Sequence, residues 1–265
     1  MVTTAVLLST PVADLSLFFW LNAQGARFPL IAQSLSHMAD QRWTTPLLII
    51  LLATRVRLLA AAMASGLLIH LCVRSIKQHF SVLRPCFNDD LTGVFTAGPS
   101  LLSDIFSFPS GHSATASLLA VALVAICGRR ALLPAAVLML AVAASRSMLG
   151  AHYPSDTAAG LALGLSISLS SFYLARQLGT GYLSSWRQTV RWYNWEAAAV
   201  WLLAACLLLR IGIEPMHRYP HWFKFISLSI CVLAAVVLLR QALLHWRVEY
   251  RLFCQRLKSQ VNFLR

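Results

Sequence analysis

Two polar stretches in this apolar sequence carry cations at spacings that suit a phosphoryl group. The stretch KQHFSVLRP places Lys77 and Arg84 seven residues apart, and SRSMLGAHYPSD carries Arg146 as its second residue. A guanidinium holds two phosphate oxygens at once through its planar fork, whereas an ammonium acts as a point charge. If the fold brings these three side chains together, they describe a pocket for a phosphoryl group.

Two histidines add reactive groups to the same stretches. His152 precedes Asp156 by four residues, and Pro154 between them suits the start of a helix. In that arrangement the carboxylate accepts a hydrogen bond from one ring nitrogen and leaves the other free for nucleophilic attack. His112 lies in a third stretch, FPSGHSAT, and is a candidate to protonate a departing oxygen.

FPSGHSAT also has the features of a helix N-terminus, because a long apolar run follows it. Pro109 suits the first turn of a helix, and Gly111 lets a ligand approach the backbone closely. The free N–H groups and the positive dipole at such an end favour an anion. This stretch therefore predicts an anion site beside His112.

The composition is that of an integral membrane protein. Of the 265 residues, 58% are hydrophobic and 12% are charged, and the mean hydropathy is +0.68. In a soluble chain the net charge of +13 would suggest nucleic acid, but the apolar runs leave no room for a large basic face. We therefore expect no nucleic acid, and predict an anionic substrate and anionic lipids of the inner leaflet as partners.

The six cysteines show neither CxxC pairs nor any other metal-like spacing, so we predict buried thiols and not disulfides or metal ligands. No lysine or arginine precedes Arg27, which argues against a cleaved signal peptide with a basic start. The sequence leaves the oligomeric state open.

The hydropathy predicts an all-α, polytopic transmembrane helical bundle with about seven membrane helices. A helix needs about 20 mainly apolar residues to cross roughly 30 Å of hydrocarbon. The segments that meet or approach this length are Trp43–Val56, Leu58–Ile76, Ser110–Cys127, Ala131–Leu149, Thr157–Ala175, Trp195–Ile213 and Phe223–Leu244.

One membrane domain with four parts is expected from this pattern. The first part mixes apolar residues with polar ones such as Asp14 and Asn22, which favours helices that lie in the membrane interface. The parts are an interfacial segment at 1–42, a core at 43–175, two additional membrane helices at 176–244 and a basic cytoplasmic tail at 245–265.

The basic residues predict the orientation. Most of them fall in one set of loops and in the tail, while most acidic residues fall in the other loops, and the positive-inside rule makes the basic side cytoplasmic. The three polar stretches then share the outer face. The loop Arg210–Lys224 carries cations on that face, and both contact with a lipid headgroup and simple interfacial anchoring stay open for it.

In order and in spacing, the three stretches match Lys-x6-Arg-Pro, Pro-Ser-Gly-His and Ser-Arg-x5-His-x3-Asp. The chain thereby resembles the type 2 phosphatidic acid phosphatase (PAP2) superfamily of membrane lipid phosphatases, over roughly Trp43 to Ala175. The resemblance implies a helical-bundle core that is shared with soluble vanadium haloperoxidases, although the hydropathy argues against a soluble enzyme here. No residue of the three motifs departs from the family pattern.

The resemblance also implies a role for each motif residue. His152 would be the nucleophile that forms a phosphohistidine, Asp156 would orient it, and His112 would be the general acid. No metal or other cofactor is implied by the family. The residues that would hold the phosphate are Lys77, Arg84, Ser110, Gly111 and Arg146.

The implied activity is hydrolysis of a lipid phosphate or diphosphate at the outer face of a bacterial inner membrane. Undecaprenyl diphosphate is the first expected substrate, because a short interfacial N-terminus followed at once by the core is similar to bacterial undecaprenyl-diphosphatases. Phosphatidylglycerophosphate, phosphatidic acid and lipid A stay open, as does transfer of the phosphoryl group to a lipid acceptor. A lipid-binding or transport protein without turnover is the alternative from a different class, although binding alone would not need an oriented nucleophile.

Overall fold

The computed structural model describes residues 11–52, 55–97 and 104–177. This part of the chain is mostly helical, in agreement with the predicted fold class. Short 3-10 turns lie at Pro85–Phe87 and Gly128–Ala131. The α-helices are α1 (Pro11–Arg27), α2 (Pro29–His37), α3 (Gln41–Leu52), α4 (Val56–Phe80), α5 (Gly111–Cys127), α6 (Leu132–Met148) and α7 (Pro154–Gln177).

Three stretches within these ranges are long and apolar enough to cross a membrane, namely Arg57–Phe80, Gly111–Met148 and Pro154–Gln177. The second stretch comprises two helices, α5 and α6, which are joined at Gly128 and pack against each other. Gly128 adopts a φ of +71°, a conformation that glycine reaches without strain and that ends α5.

The predicted count of seven membrane helices is not confirmed. The expected span Trp43–Val56 corresponds to α3, which has 12 residues and ends at Leu52. The helices predicted at Trp195–Ile213 and Phe223–Leu244, the loop Arg210–Lys224 and the tail 245–265 lie outside the described residues. Of the cysteines, Cys72, Cys86 and Cys127 are free thiols, and the other three lie in that same undescribed part.

Helices α5 and α7 form the centre of the bundle because small residues let their backbones approach closely. A β-carbon added at Gly160 would collide with the carbonyl oxygen of Ser110, and one at Gly164 would collide with that of Ala114. This small-xxx-small spacing is a common means of close helix packing in membranes. Buried side chains of α3 and α4, including Leu48 and Ile69, pack around α5 as an apolar core.

The N-terminal helices pack against the end of α6 that carries Arg146. Both α1 and α2 contact α6, and a β-carbon at Gly25 would collide with the backbone of Met148. Asn22 on α1 donates from Nδ2 to the carbonyl oxygen of Phe95 at 2.8 Å and accepts from the Phe95 N–H at 2.8 Å. The segment that the sequence assigned to the membrane interface thus contacts the core directly.

Candidate active site

Four helix termini meet at one end of the bundle and carry most of the predicted site residues. Lys77 lies in the last turn of α4 and Arg146 in the last turn of α6. His112 lies in the first turn of α5 and Asp156 in the first turn of α7. Because the helices alternate in direction, residues far apart in sequence come to the same end.

A short backbone pairing joins KQHFSVLRP to the residues just before FPSGHSAT. The N–H of Arg84 donates to the carbonyl oxygen of Ile105 at 3.1 Å, and the N–H of Ser107 donates to that of Val82 at 2.7 Å. An isolated antiparallel bridge between Leu83 and Phe106 results. This pairing fixes Arg84 beside the segment that leads into α5.

A second backbone contact joins FPSGHSAT to SRSMLGAHYPSD. The N–H of Ser110 donates to the carbonyl oxygen of Asp156 at 3.0 Å. The Ser110 hydroxyl accepts a bond from the N–H of Ser113 and so caps α5. Ser110 is fully buried, so its hydroxyl acts as a helix cap in this structure, and its predicted contact with phosphate stays a prediction.

All three polar stretches border a cavity of about 540 Å³, within the roughly 300–1,000 Å³ that is common for ligand sites. Ser110 and Asp156 do not border it, and Asp156 is buried behind His152. The predicted residues that line the cavity are Lys77, Arg84, Gly111, His112, Arg146 and His152.

Asp104 is a carboxylate that the sequence did not assign to the site, yet it contacts two of the cations. Its Oδ2 lies 2.5 Å from the Nζ of Lys77 and 3.4 Å from an Nη of Arg84. Burial would raise the pKa of Asp104, but the hydrogen bond from Lys77 and the charges of Lys77 and Arg84 outweigh it and lower that pKa. Asp104 is therefore ionised at neutral pH and neutralises part of the positive charge of the cavity.

The two guanidinium groups are buried and retain unpaired donors. Arg84 is 5% exposed and Arg146 is 2% exposed. One Nη of Arg84 reaches the carbonyl oxygen of Ala151 at 3.4 Å, and an Nη of Arg146 donates to the Ser36 hydroxyl. No described residue accepts a hydrogen bond from the Nε of either arginine. Since buried donors are normally satisfied, this geometry is suited to an anion with several oxygens.

The polar contacts that hold the His152 ring are made through its Nδ1 atom. This nitrogen lies 3.2 Å from the hydroxyl oxygen of Ser107 and 3.7 Å from Oδ2 of Asp156. The second distance is too long for the direct hydrogen bond that the sequence predicted. Ser107 lies between the two groups, since its hydroxyl also donates to Asp156.

The environment of His152 favours its neutral form. The side chain is almost completely buried, and burial together with the charges of Arg84 and Arg146 holds its pKa well below the ordinary value. A neutral imidazole has a lone pair on one nitrogen, and no described residue hydrogen-bonds to Nε2. That nitrogen is therefore free to attack.

His112 borders the same cavity as His152 and the three cations. No described residue forms a hydrogen bond with its ring. An unengaged imidazole at the wall of a cationic cavity can exchange a proton with a bound group.

The N-terminal helices contribute contacts that the motifs do not include. Asp14 accepts hydrogen bonds from the N–H and the hydroxyl of Ser155 at 2.9 and 2.7 Å, and so satisfies the start of α7. Ser36 bonds to Arg146. In the sequence, these contacts were signalled only by the polar residues that interrupt the apolar pattern of α1 and α2. A polar group on an apolar helix needs a hydrogen-bond partner.

Metal ligation was not expected from the sequence. Within the described ranges, no three His, Cys, Asp or Glu side chains come together in a way that would hold a metal ion. Independence from metals stays a prediction for the whole chain.

Comparison with known proteins agrees with this architecture. A family model described as the PAP2 superfamily matches residues 55–180. A lipid A 1-phosphatase from Rhizobium johnstonii is 40% identical over 107 residues, which cover 40% of this chain and 41% of that protein. The match thus spans about two fifths of the length of this curated relative.

Two crystal structures share the fold. That of Aquifex aeolicus LpxE has a TM-score of 0.50 at 24% identity and covers 60% of this chain and 94% of that one. That of a transmembrane PAP2-type phosphatidylglycerolphosphate phosphatase from Bacillus subtilis has a TM-score of 0.54 at 21% identity, with 67% and 93% covered. The three motifs are assembled around one cavity, and residues 55–180, which contain all three, match the PAP2 superfamily.

Proposed function

We propose that this protein is a metal-independent lipid phosphatase that works through a phosphohistidine at His152. The observation that carries the proposal is the placement of a buried His152 beside three cations and a second histidine in one cavity. A protein that only bound lipid phosphates would need the cations but not a histidine held by its Nδ1 side. Enzymatic turnover is thus favoured over binding or transport.

The first step is an in-line displacement at phosphorus. Nε2 of His152 attacks, the P–N bond forms, and the bond from phosphorus to the leaving oxygen breaks. The leaving oxygen takes a proton from His112. Lys77, Arg84 and Arg146 stabilise the negative charge that spreads over the three equatorial oxygens.

The second step is hydrolysis of the phosphohistidine. Water attacks phosphorus and gives a proton to His112, which the first step left unprotonated. The P–N bond breaks, its electron pair returns to Nε2, and inorganic phosphate leaves. Both histidines are then in their starting protonation states, so the cycle balances without a cofactor.

Among lipid phosphates, we propose the glycosyl phosphate of a lipid A-type glycolipid as the first substrate class. The support is the lipid A 1-phosphatase that is 40% identical over 107 residues. Undecaprenyl diphosphate is the second candidate. Its support is the short interfacial N-terminus followed at once by the core, an arrangement similar to that of bacterial undecaprenyl-diphosphatases. Phosphatidylglycerophosphate is the third, since a phosphatase of that lipid has the same fold.

We further propose that the cavity opens on the outer face of a bacterial inner membrane. Arg55 at the start of α4 donates to the carbonyl oxygen of Ala125 near the end of α5 at 3.3 Å, so these two helix ends are neighbours. Arg129 and Arg130 follow α5 at that end, which is opposite to His112 and Lys77. The positive-inside rule makes the arginine-rich end cytoplasmic.

A substrate panel tests the activity. The purified full chain would be incubated in detergent with lipid A, undecaprenyl diphosphate, phosphatidylglycerophosphate and phosphatidic acid, with and without EDTA, and released phosphate would be measured. We expect release from lipid A to be fastest, with the same rate in EDTA, and no release by His152→Ala. Loss of activity in EDTA would contradict the metal-free mechanism.

Product analysis separates hydrolysis from transfer. If the phosphoryl group appears on a lipid acceptor and no inorganic phosphate is released, the protein is a phosphotransferase. If no lipid in the panel reacts and His152→Ala still binds lipid like the wild type, a binding protein is indicated instead.

A further inference from the structure

Ser107 is a fully buried serine that lies between His152 and Asp156. Its hydroxyl oxygen is 3.2 Å from Nδ1 of His152 and donates to Oδ2 of Asp156, whereas the histidine and the carboxylate are 3.7 Å apart. It lies outside all three sequence motifs, since Pro-Ser-Gly-His begins two residues later.

The backbone holds Ser107 in this position independently of its hydroxyl. Its N–H donates to the carbonyl oxygen of Val82 at 2.7 Å, and the preceding carbonyl, that of Phe106, accepts from Nζ of Lys77 at 2.6 Å. Ser107 is thus tied to the strand-like segment that carries Arg84. A substitution that removes only the hydroxyl leaves these bonds in place.

The direction of the hydrogen bonds follows from the groups involved. A hydroxyl has one proton to donate, and an ionised carboxylate can only accept. With the Ser107 proton given to Asp156, the Ser107 oxygen can only accept from His152, so the imidazole proton is on Nδ1. The lone pair is then on Nε2.

We propose that Ser107 is a positioning residue that connects Asp156 to the nucleophilic His152 and fixes the tautomer of the imidazole. This inference rests on the proposed function. When Nε2 attacks phosphorus, positive charge develops on the ring, and the chain of bonds from Nδ1–H through the Ser107 hydroxyl to Asp156 stabilises it. No proton leaves Nδ1 in this step.

The carboxylate does not depend on Ser107 for its own placement. Oδ2 of Asp156 also accepts from the N–H of Tyr153 at 2.9 Å. Ser107→Ala should therefore leave Asp156 in position and separate it from His152 by the existing 3.7 Å. We expect kcat to fall roughly ten- to a hundredfold, the range in which partners behind a reactive group usually act, with little change in KM.

The pH profile distinguishes positioning from a structural role. Without the serine oxygen, the imidazolium loses a hydrogen-bond acceptor, so the pKa of His152 falls and the acid limb of kcat/KM moves to lower pH. A purely structural defect would lower the Tm and leave that limb in place. Ser65→Ala is the matched control, because Ser65 is equally buried and its hydroxyl bonds only within α4, to Ala61 at 2.7 Å.

The decisive experiment is a double-mutant cycle of Ser107→Ala, Asp156→Asn and the double variant. The kcat, the Tm and the pH profile of each variant are compared with those of the active wild type. If the serine connects the pair, the double variant is no slower than Asp156→Asn alone. Additive losses in kcat, or an acid limb for Ser107→Ala equal to that of Ser65→Ala, would overturn the inference. A wild type that releases no phosphate would instead overturn the proposed function.

Discussion

The N–H of Ser110 donates to the carbonyl oxygen of Asp156 at 3.0 Å, so the starts of α5 and α7 are bonded to each other. The Ser110 carbonyl in turn lies against Gly160, one turn along α7, where no side chain fits. This contact holds the helix that carries His112 against the helix that follows His152. The relative placement of the two histidines thus depends on a glycine that takes no part in the chemistry.

Gly160→Ala should therefore impair both folding and catalysis. The added β-carbon would collide with backbone atoms that cannot move independently, and overpacking of this kind costs about 1–3 kcal/mol. We expect a lower Tm and reduced phosphate release. Gly66→Ala is the control, because the nearest atom there is a leucine methyl at 3.7 Å. Equal Tm values for the two variants would contradict the close packing of α5 and α7.

The two histidines should respond differently to the leaving group. His112→Ala should reduce kcat on a natural lipid by roughly 10²–10⁴, the usual contribution of a general acid. On an aryl phosphate lipid, whose leaving group needs no proton, the loss in kcat/KM, which reports formation of the phosphohistidine, should mostly disappear, whereas kcat stays limited by the second step, in which His112 is the base. The loss in His152→Ala should persist on both substrates, because the nucleophile is missing. A kcat/KM defect of His112→Ala that is the same on both substrates would argue against its role as acid.

Asp104 should weaken the binding of phosphate. Its carboxylate lies 2.5 Å from Lys77 and 3.4 Å from Arg84, where it competes with the phosphoryl oxygens for the two cations. Asp104→Asn removes from the cavity a negative charge that repels phosphate. We therefore expect the inhibition constant of inorganic phosphate to fall by about tenfold or less. Asp89→Asn, at an exposed position outside the cavity, should leave it unchanged. Weaker phosphate inhibition in Asp104→Asn would show that the carboxylate instead holds Lys77 for catalysis.

The pH dependence should reflect a nucleophile that stays neutral. Burial and the charges of Arg84 and Arg146 lower the pKa of His152, so its protonation should limit kcat/KM only well below about pH 6.5. Arg84→Gln removes one of these charges, so that pKa should rise and the acid limb should move to higher pH. Arg74→Gln, an exposed cavity residue that does not contribute to the shift, should leave the limb where it is. If the acid limb of kcat/KM does not move in Arg84→Gln, a group other than His152 controls it.

The sequence motifs predicted which side chains line the cavity, because spacing between apolar runs determines which helix ends carry them. Spacing does not reveal side-chain direction or partners from distant segments. Ser110 matches its motif but caps a helix, and Ser107 lies just outside the same motif but contacts His152. The contact between Asp14 and Ser155 joins residues 141 positions apart, so no local pattern could predict it.

Helix lengths were predicted well where the apolar run was long and poorly where it was short. α4 and α7 cover the spans expected at Leu58–Ile76 and Thr157–Ala175. The span expected at Trp43–Val56 was too long, since α3 ends at Leu52 and Arg55 instead bonds to the end of α5. A basic residue close to an apolar run therefore marked a helix boundary.

The stereochemical course at phosphorus tests the proposed mechanism most directly. A lipid phosphate made chiral at phosphorus with oxygen isotopes would be hydrolysed in labelled water by the wild type, and the configuration of the released phosphate would be determined by ³¹P NMR. Two in-line displacements, first by His152 and then by water, predict net retention of configuration. Net inversion would mean that water attacks the lipid phosphate directly, and would contradict a covalent phosphohistidine.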